Sequence, residues 1–404
     1  MLQVISTNEA HLLISKRFTP KPQVHKAPLS QASGCVLAAD VFASENVPGF
    51  SRSSVDGYAV NAKDVFGCSY SIPALLKLRG EVEMGKTPNF IWGRGGCFYV
   101  PTGGELPEGT DAMVMLENAE RFSDDTVAIY KPSAPGQHII FLGDDIKQGE
   151  VAALKGTVIS AREIGAFSAL GIPYLPVVKR PKVGIISTGD ELIPAENPPI
   201  GAQIRDSNGP MLKSAVESLG GEVISYGIVK DELETLSDSV GLALAECDML
   251  LITGGTSVGN KDAARQAIEA FGEVFIHGIA VKPGKPTLVG KANGKPVFGL
   301  PGHPLAAYFM FEIFVRPFLL SLLGLKNTHK QIEAVLSHAI PSNNGREEYI
   351  PVKLEYADDV TAVPILSKSG LITSLLRAHG YICIPREIEG LSKGSRANVI
   401  LFRS

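Results

Sequence analysis

LLITGGTSVGNKD, residues 250–262, is the stretch on which the fold turns. An unbroken apolar run enters a glycine pair, Gly254-Gly255. Small hydroxyls, a third glycine at 259 and the carboxylate of Asp262 follow, and then a helical pattern begins. A strand apolar at every position belongs inside a sheet covered on both faces. A strand that ends in glycines and feeds a helix presents bare backbone amides, a geometry suited to phosphate or another oxyanion.

Outward from this stretch, residues 182–325 alternate apolar runs with amphipathic ones. Strands are expected at 183–187, 222–229, 249–253, 287–289 and 297–300. Helices are expected at 207–219, capped by Ser207 or Asn208, at 232–245, at 263–271 and from Pro304. That alternation predicts a three-layer α/β/α domain around a mostly parallel sheet. Such sheets bind ligands beyond the carboxyl ends of their strands. The unusual loops fall there: 188–191 with Glu191, the 230–231 pair with Asp231, 254–262, and 301–304 with Pro301 and Pro304. VKPGKP at 281–286 presents Lys282 and Lys285 on a proline-stiffened loop beside the anion turn, which favours ligand binding over plain solvation.

Upstream, residues 7–18 read as an amphipathic helix with Thr7 as N-cap, ended by a proline-rich segment. In FSRSSVDGYAV, 50–60, Asp56-Gly57 reads equally as a turn or as an exposed carboxylate at a strand start. Residues 76–130 are strand-like and glycine-rich, a small β-rich lobe. Within it Thr102-Gly103-Gly104 is, taken alone, a plain turn. GQHIIFLGDDIKQG, 136–149, carries Asp145, and Ser160 caps a short helix. From residue 327 onward, short strands separated by turns predict a small all-β, barrel-like domain. The fold class is therefore multidomain, α/β plus β.

The 404 residues exceed one ordinary core, and roughly two to four domains are expected. A formal charge of −4 gives no basic footprint for nucleic acid. The five cysteines form no CxxC pair and the eight histidines no HxxxH pair, which points to reduced thiols and no zinc site and leaves Mg²⁺ held by carboxylates and phosphate. The N-terminus lacks a signal-peptide pattern. The apolar segment 308–325 is interrupted by Glu312, Arg316 and Pro317, so a buried helix or helix pair is expected rather than a membrane span. A cytoplasmic protein is expected. GxxxxGK[ST], GxGxxG and Ser-His-Asp signatures are absent, which disfavours the usual kinases, dehydrogenases and hydrolases. What remains is a set of carboxylates (Glu191, Asp231, Asp262), lysines (Lys282, Lys285) and amide-rich turns at one sheet edge, equipment for a phosphorylated ligand plus Mg²⁺.

SSVDGYAV, PTGGELPEGTDAMVM, ISTGDEL, QIRDSN, LLITGGTSVGNKD, VKPGKPTLVG, FGLPGHPLAA, REEYIPV and AHGYICIP occur in this order. With them the chain resembles the molybdopterin molybdenumtransferases, the MoeA proteins and the gephyrin E domain, over nearly its whole length. The resemblance implies a homodimer of four-domain subunits: 1–26 with 141–176 as an elongated linker domain, 27–140 as the β-rich lobe, 177–326 as the α/β molybdopterin-binding domain and 327–404 as the C-terminal β-barrel-like domain. It implies insertion of molybdate into the dithiolene of adenylylated molybdopterin, with Mg²⁺-assisted release of AMP, in a site shared across the subunit interface. Asp56, Thr102, Asp145, Glu191, Asp231 and Asp262 match the family's catalytic positions, the last three also as Mg²⁺ ligands. Gly254, Gly255, Ser257, Lys282, Lys285, Pro301, Pro304, Arg346 and Ser369 are the substrate-binding candidates. A molybdopterin adenylyltransferase and molybdoenzyme maturation proteins are the implied partners.

Several positions depart from the family pattern. Val55 stands for a methionine, Thr256 for a valine, His303 for an asparagine, Asp144 for a glutamate, and HIIFL at 138–142 for an arginine-rich piece. Two alternatives follow: a non-catalytic pterin-binding scaffold or regulator, and a molybdopterin adenylyltransferase, against which the domains flanking the α/β unit argue.

Overall fold

A computed structural model of the chain describes residues 4–255, 263–343, 345–366 and 370–402. The expectations for Ser257, Asp262 and Ser369 fall outside the described residues. Two compact units emerge: Lys26–Val177, and Met1–His25 together with Val178–Ser404.

In the unit Lys26–Val177, a six-stranded sheet runs in the order Ala112–Met115, Gly57–Val60, Gly96–Val100, Ala74–Glu81, Thr126–Ile129, Ala119–Arg121. Side-chain alternation along the strands divides its core in two. Tyr58, Val60 and Cys97 join one cluster, while Ala59, Phe98 and Val100 join the other. Burial pushes the Cys97 thiol up to about 12, so it is an inert core residue. A smaller cluster of Leu37, Ile159, Phe167 and Leu175 packs around the helix Ala161–Ala169. As expected, Ser160 caps that helix, and Glu163 completes a capping box.

The other unit is built on a sheet ordered Glu222–Val229, Lys182–Thr188, Met249–Thr253, Lys295–Leu300, Leu288–Ala292, Gly272–His277. The first four strands are parallel and each of the last two runs antiparallel to its neighbour. All five residues of Met249–Thr253 are buried, as an unbroken apolar run requires. On one face Ile185, Leu251 and Phe298 meet Leu212, Val216, Phe309 and Phe314. On the other, Ile186, Ile252 and Val297 meet Leu236, Val240, Ala264 and Ile268. The helices Asn208–Ser218 and Pro304–Met310 thus cover one face, and Leu233–Glu246 and Ala263–Glu269 the other.

Two local expectations change, and a third holds in an unexpected way. The edge strand Gly272–His277 was not anticipated. Ser6 rather than Thr7 caps the first helix, its hydroxyl accepting from the Glu9 amide at 3.2 Å, and Thr7 is the first helical residue. That helix, Thr7–Arg17, buries Ala10 and Ile14 in the same cluster as Phe314. Pro317 does not break the long apolar helix. Proline lacks an N–H and collides with the preceding turn, and a π turn at Phe311–Val315, just before Arg316-Pro317, accommodates it. The continuous helix Pro304–Leu322 is long and apolar enough to cross a membrane by length and composition, yet its apolar window is 67% buried inside the protein. Arg316 is only 4% exposed and donates to Asn327 Oδ1 (2.5 Å) and the Thr328 carbonyl (3.1 Å), so the charge in this helix is satisfied internally.

Five strands close the C-terminal barrel: Glu347–Tyr356, Val360–Pro364, Gln331–Leu336, Arg396–Leu401 and Gly380–Ile384, the last pairing back to the first. Leu336, Ile350, Val352, Ile382 and Val399 fill it. The two-residue strand Val281–Lys282 lies parallel against Glu347–Glu348, with Lys282 opposite Glu348. The lysine loop of the α/β portion is thereby registered against the barrel.

Candidate functional site

From the strand Lys182–Thr188 the chain next builds Glu222–Val229 on one side of it and then Met249–Thr253 on the other. The strand order therefore reverses between Lys182–Thr188 and Met249–Thr253, and a crevice opens past their carboxyl ends. Gly254 closes the second of these strands. Its φ is +94°, and a Cβ there would lie 2.0 Å from the Thr188 carbonyl oxygen. Only glycine fits. A Cβ on Gly255, φ +60°, would lie 3.0 Å from Asp231 Oδ1 and equally close to Thr188 Cγ2. The half-buried Asp231 carboxylate therefore lies against the glycine turn. Its amide donates to Asp190 Oδ1 at 3.2 Å. The exposed Glu191 folds back on its own loop, with Oε2 2.9 Å from where a Cβ on Gly189 would stand.

Beneath the turn lies a residue that was expected only as a helix cap. Asn208, 6% exposed, donates from Nδ2 to Thr253 Oγ1 (2.8 Å) and to the Gly302 carbonyl (2.8 Å). Thr253 Oγ1 in turn donates to the Pro301 carbonyl at 3.4 Å. Asn208 is thus a buried tie between two strand-end loops. The helix it begins is served by Asp206, whose Oδ1 accepts from the Gly209 amide at 3.0 Å, while Ser207 makes no side-chain capping bond. In QIRDSN the residues Asp206, Ser207 and Asn208 are about equal as caps, so the sequence alone does not set Asn208 apart. Thr188 Oγ1 and Asn208 Oδ1 are buried without a hydrogen-bond partner among the described residues. Orphaned polar atoms at the base of a crevice suit a polar occupant.

The loop 301–303 joins this crevice to a second space. A Cβ on Gly302 would stand 3.7 Å from Gly254 Cα. Pro301 and His303, on either side of it, line a cavity of about 1020 Å³ together with Lys282, Lys285, Arg346 and Glu348. Pro304 occupies the first position of the following helix, where a missing N–H costs nothing. Lys282 Nζ contacts Glu348 Oε1 at 2.5 Å, and Glu348 Oε2 accepts from the Ser342 hydroxyl at 2.8 Å. Lys282 therefore has a counter-ion, which local sequence does not reveal. Among the described residues lining this cavity, three basic side chains accompany one carboxylate.

The remaining candidates belong to the unit Lys26–Val177. Asp56 Oδ1 accepts from the Thr102 amide at 2.8 Å. The Gly103 amide donates to the Ser53 carbonyl (2.8 Å) and the Ser53 amide to the Gly104 carbonyl (3.0 Å). Arg52–Ser53 pairs with Ile139–Ile140, and the Leu142 amide donates to Ser51 Oγ at 3.2 Å. Three motifs far apart in sequence are thereby one surface cluster, with Asp56, Thr102 and Asp145 exposed. Asp56-Gly57 is a strand start rather than a turn. A Cβ on Gly57 would lie 2.0 Å from the Val114 carbonyl across the sheet, which is why a glycine stands there.

Among the described residues no three His, Cys, Asp or Glu side chains converge as a metal cage. Glu191 and Asp231, with Asp190 beside them, are nevertheless hard oxygen donors. Mg²⁺ commonly takes only one or two carboxylates and completes its shell with phosphate and water. This donor set fits an ion that arrives with a phosphate.

Residues 5–171 match the MoeA N-terminal region (domains I and II), 184–321 the "Probable molybdopterin binding domain", and 333–402 the MoeA C-terminal region (domain IV). The chain is 31% identical to the molybdopterin molybdenumtransferase of Staphylococcus aureus, over 99% of this chain and 96% of that one. It is 32% identical to the molybdopterin molybdenumtransferase of Bacillus subtilis, over 91% and 87%. The crystal structure of a MoeA molybdopterin biosynthesis protein from Pyrococcus horikosii superposes with a TM-score of 0.86, 38% identity and full coverage of both chains.

Proposed function

The chain belongs to the MoeA family of molybdopterin molybdenumtransferases, enzymes of molybdenum cofactor biosynthesis, and from that membership we propose that it inserts molybdate into the dithiolene of adenylylated molybdopterin with release of AMP. One observation carries this reading. A glycine turn flanked by carboxylates at the sheet's switch point touches, through Gly302, the wall of a cavity lined by Lys282, Lys285 and Arg346.

The two spaces suit the two ends of the reaction. The tight Gly254-Gly255 turn lets a phosphate approach the backbone closely, and Asp231 and Glu191 would hold a Mg²⁺ ion that would neutralise its charge. In the cavity, Lys285, Lys282 and Arg346 receive the tetrahedral oxyanion, with Arg346 able to bind two oxygens at once. Buried apolar walls from Leu305 and Ile350 lower the local dielectric and strengthen each of these charges. Pro301 and Pro304 stiffen the loop between the two spaces. Asp262, Ser257 and Ser369 are assigned to the same site on the resemblance alone.

We place the working protein in the cytoplasm as a homodimer with the four-domain division given above. In it Asp56, Thr102 and Asp145 of one subunit complete the site of the other, and the substrate comes from a molybdopterin adenylyltransferase. The uncombined thiols at all five cysteines support a reducing compartment.

The division of labour is testable by steady-state kinetics of AMP release. Asp231→Asn raises KM for adenylylated molybdopterin, and Lys285→Ala raises KM for molybdate, each lowering kcat/KM by at least about tenfold. Crossed effects, or none, would overturn the assignment of the two spaces.

A further inference from the structure

Glu348 is the exceptional charge in the cavity: among the described lining residues it is the one carboxylate in a wall otherwise charged by Lys282, Lys285 and Arg346. It is 5% exposed. A buried carboxylate is costly unless its oxygens are satisfied, and here both are, Oε1 by the Lys282 ammonium and Oε2 by the Ser342 hydroxyl. The arrangement is built into the backbone, because Val281–Lys282 pairs with Glu347–Glu348 in a register that sets Lys282 opposite Glu348. A lysine on a four-carbon stem is thereby fixed in one place.

The second consequence is electrostatic. Three cations in a partly apolar wall attract a doubly charged oxyanion more strongly than two do. With Glu348 present the cavity offers two net positive charges, the number that a dianion neutralises. We propose that Glu348 is a positioning residue which fixes Lys282 and lowers the cavity's potential, so that a tetrahedral dianion is bound but released to the reaction. This rests on the reading of the cavity as the oxyanion site.

The test is equilibrium dialysis of the full chain at low salt with molybdate and with perrhenate, a monoanion of the same shape. Glu348→Gln keeps the side chain's size and its bond to Ser342 but removes the charge. It tightens molybdate binding by at least about tenfold and perrhenate binding by about threefold, since the Coulomb energy scales with the ligand's charge. Lys282→Gln weakens molybdate binding, and the Lys282→Gln/Glu348→Gln double variant, which buries no unpaired charge, recovers most of that loss. In AMP release Glu348→Gln lowers kcat and KM for molybdate together, a split that mere loss of structure does not produce. Weaker molybdate binding in Glu348→Gln, or equal changes for both anions, would overturn the inference. Lys285→Ala separates that failure from a failure of the cavity reading: it abolishes molybdate binding if the cavity is the oxyanion site, and unchanged binding would sink both.

Discussion

The tripeptide Thr-Gly-Gly occurs twice near the candidate chemistry, at 102–104 and 253–255, and the two copies are built differently. Thr102 is exposed, and its turn is organised by a carboxylate, Asp56, accepting from its amide. Thr253 is 2% exposed, and its hydroxyl is locked between Asn208 and Pro301. Gly103, φ +84°, has only the tip of Met84 near a would-be Cβ, at 3.5 Å, whereas a Cβ on Gly254 would meet the Thr188 carbonyl oxygen at 2.0 Å. The first turn needs glycine for its backbone angle alone. The second needs it for the angle and because two strands converge there. Identical local sequence thus serves a solvent-facing contact point in one place and the floor of a crevice in the other.

Substitution should separate the two copies sharply. Gly254→Ala forces backbone against backbone, and we expect a loss of at least about 3 kcal/mol in urea unfolding, together with loss of AMP release. Asn208→Asp, nearly isosteric, replaces an amide donor by a carboxylate facing the Gly302 carbonyl. A cost of about 2–3 kcal/mol and a higher KM for the adenylylated substrate are expected, with Asn208→Ser less severe because a hydroxyl can still donate. Asp56→Ala removes one exposed acceptor. Calorimetry should show about 1 kcal/mol or less, while AMP release falls at least about tenfold if the turn meets substrate. Gly103→Ala should cost about 1–2 kcal/mol, the usual penalty for a left-handed alanine, and a result as large as that for Gly254→Ala would erase the distinction between the turns.

The contrast also explains what could be read from sequence. Met249–Thr253 announces itself because a doubly covered strand is apolar at every position, and the switch-point loops follow from that sheet. Gly272–His277 was missed because its apolar run, Val274 to Ile276, is short and is flanked by the exposed Glu273 and by His277. The cap shifted from Thr7 to Ser6 because adjacent hydroxyls are equivalent in sequence and only the helix phase separates them. Lys282, Lys285 and Arg346 were nameable one by one, and the cavity gathers all three. Glu348 was not, since its meaning depends on a pairing between the lysine loop and a barrel strand. Asn208 was misread because capping is the commonest use of such a residue at a helix start, whereas its amide is spent on tertiary bonds. The identities of pterin and molybdate came from resemblance, since a glycine turn with carboxylates and lysines specifies only phosphate, oxyanion and a hard cation.

If crevice and cavity act as one site, phosphate release is coupled to oxyanion insertion. The most direct measurement is a single-turnover experiment with purified protein, adenylylated molybdopterin and Mg²⁺, following AMP and molybdenum bound to pterin while molybdate is varied. AMP release that requires molybdate and matches inserted molybdenum one for one is the predicted result. AMP release without molybdate, or tight substrate binding with no AMP released, would contradict it.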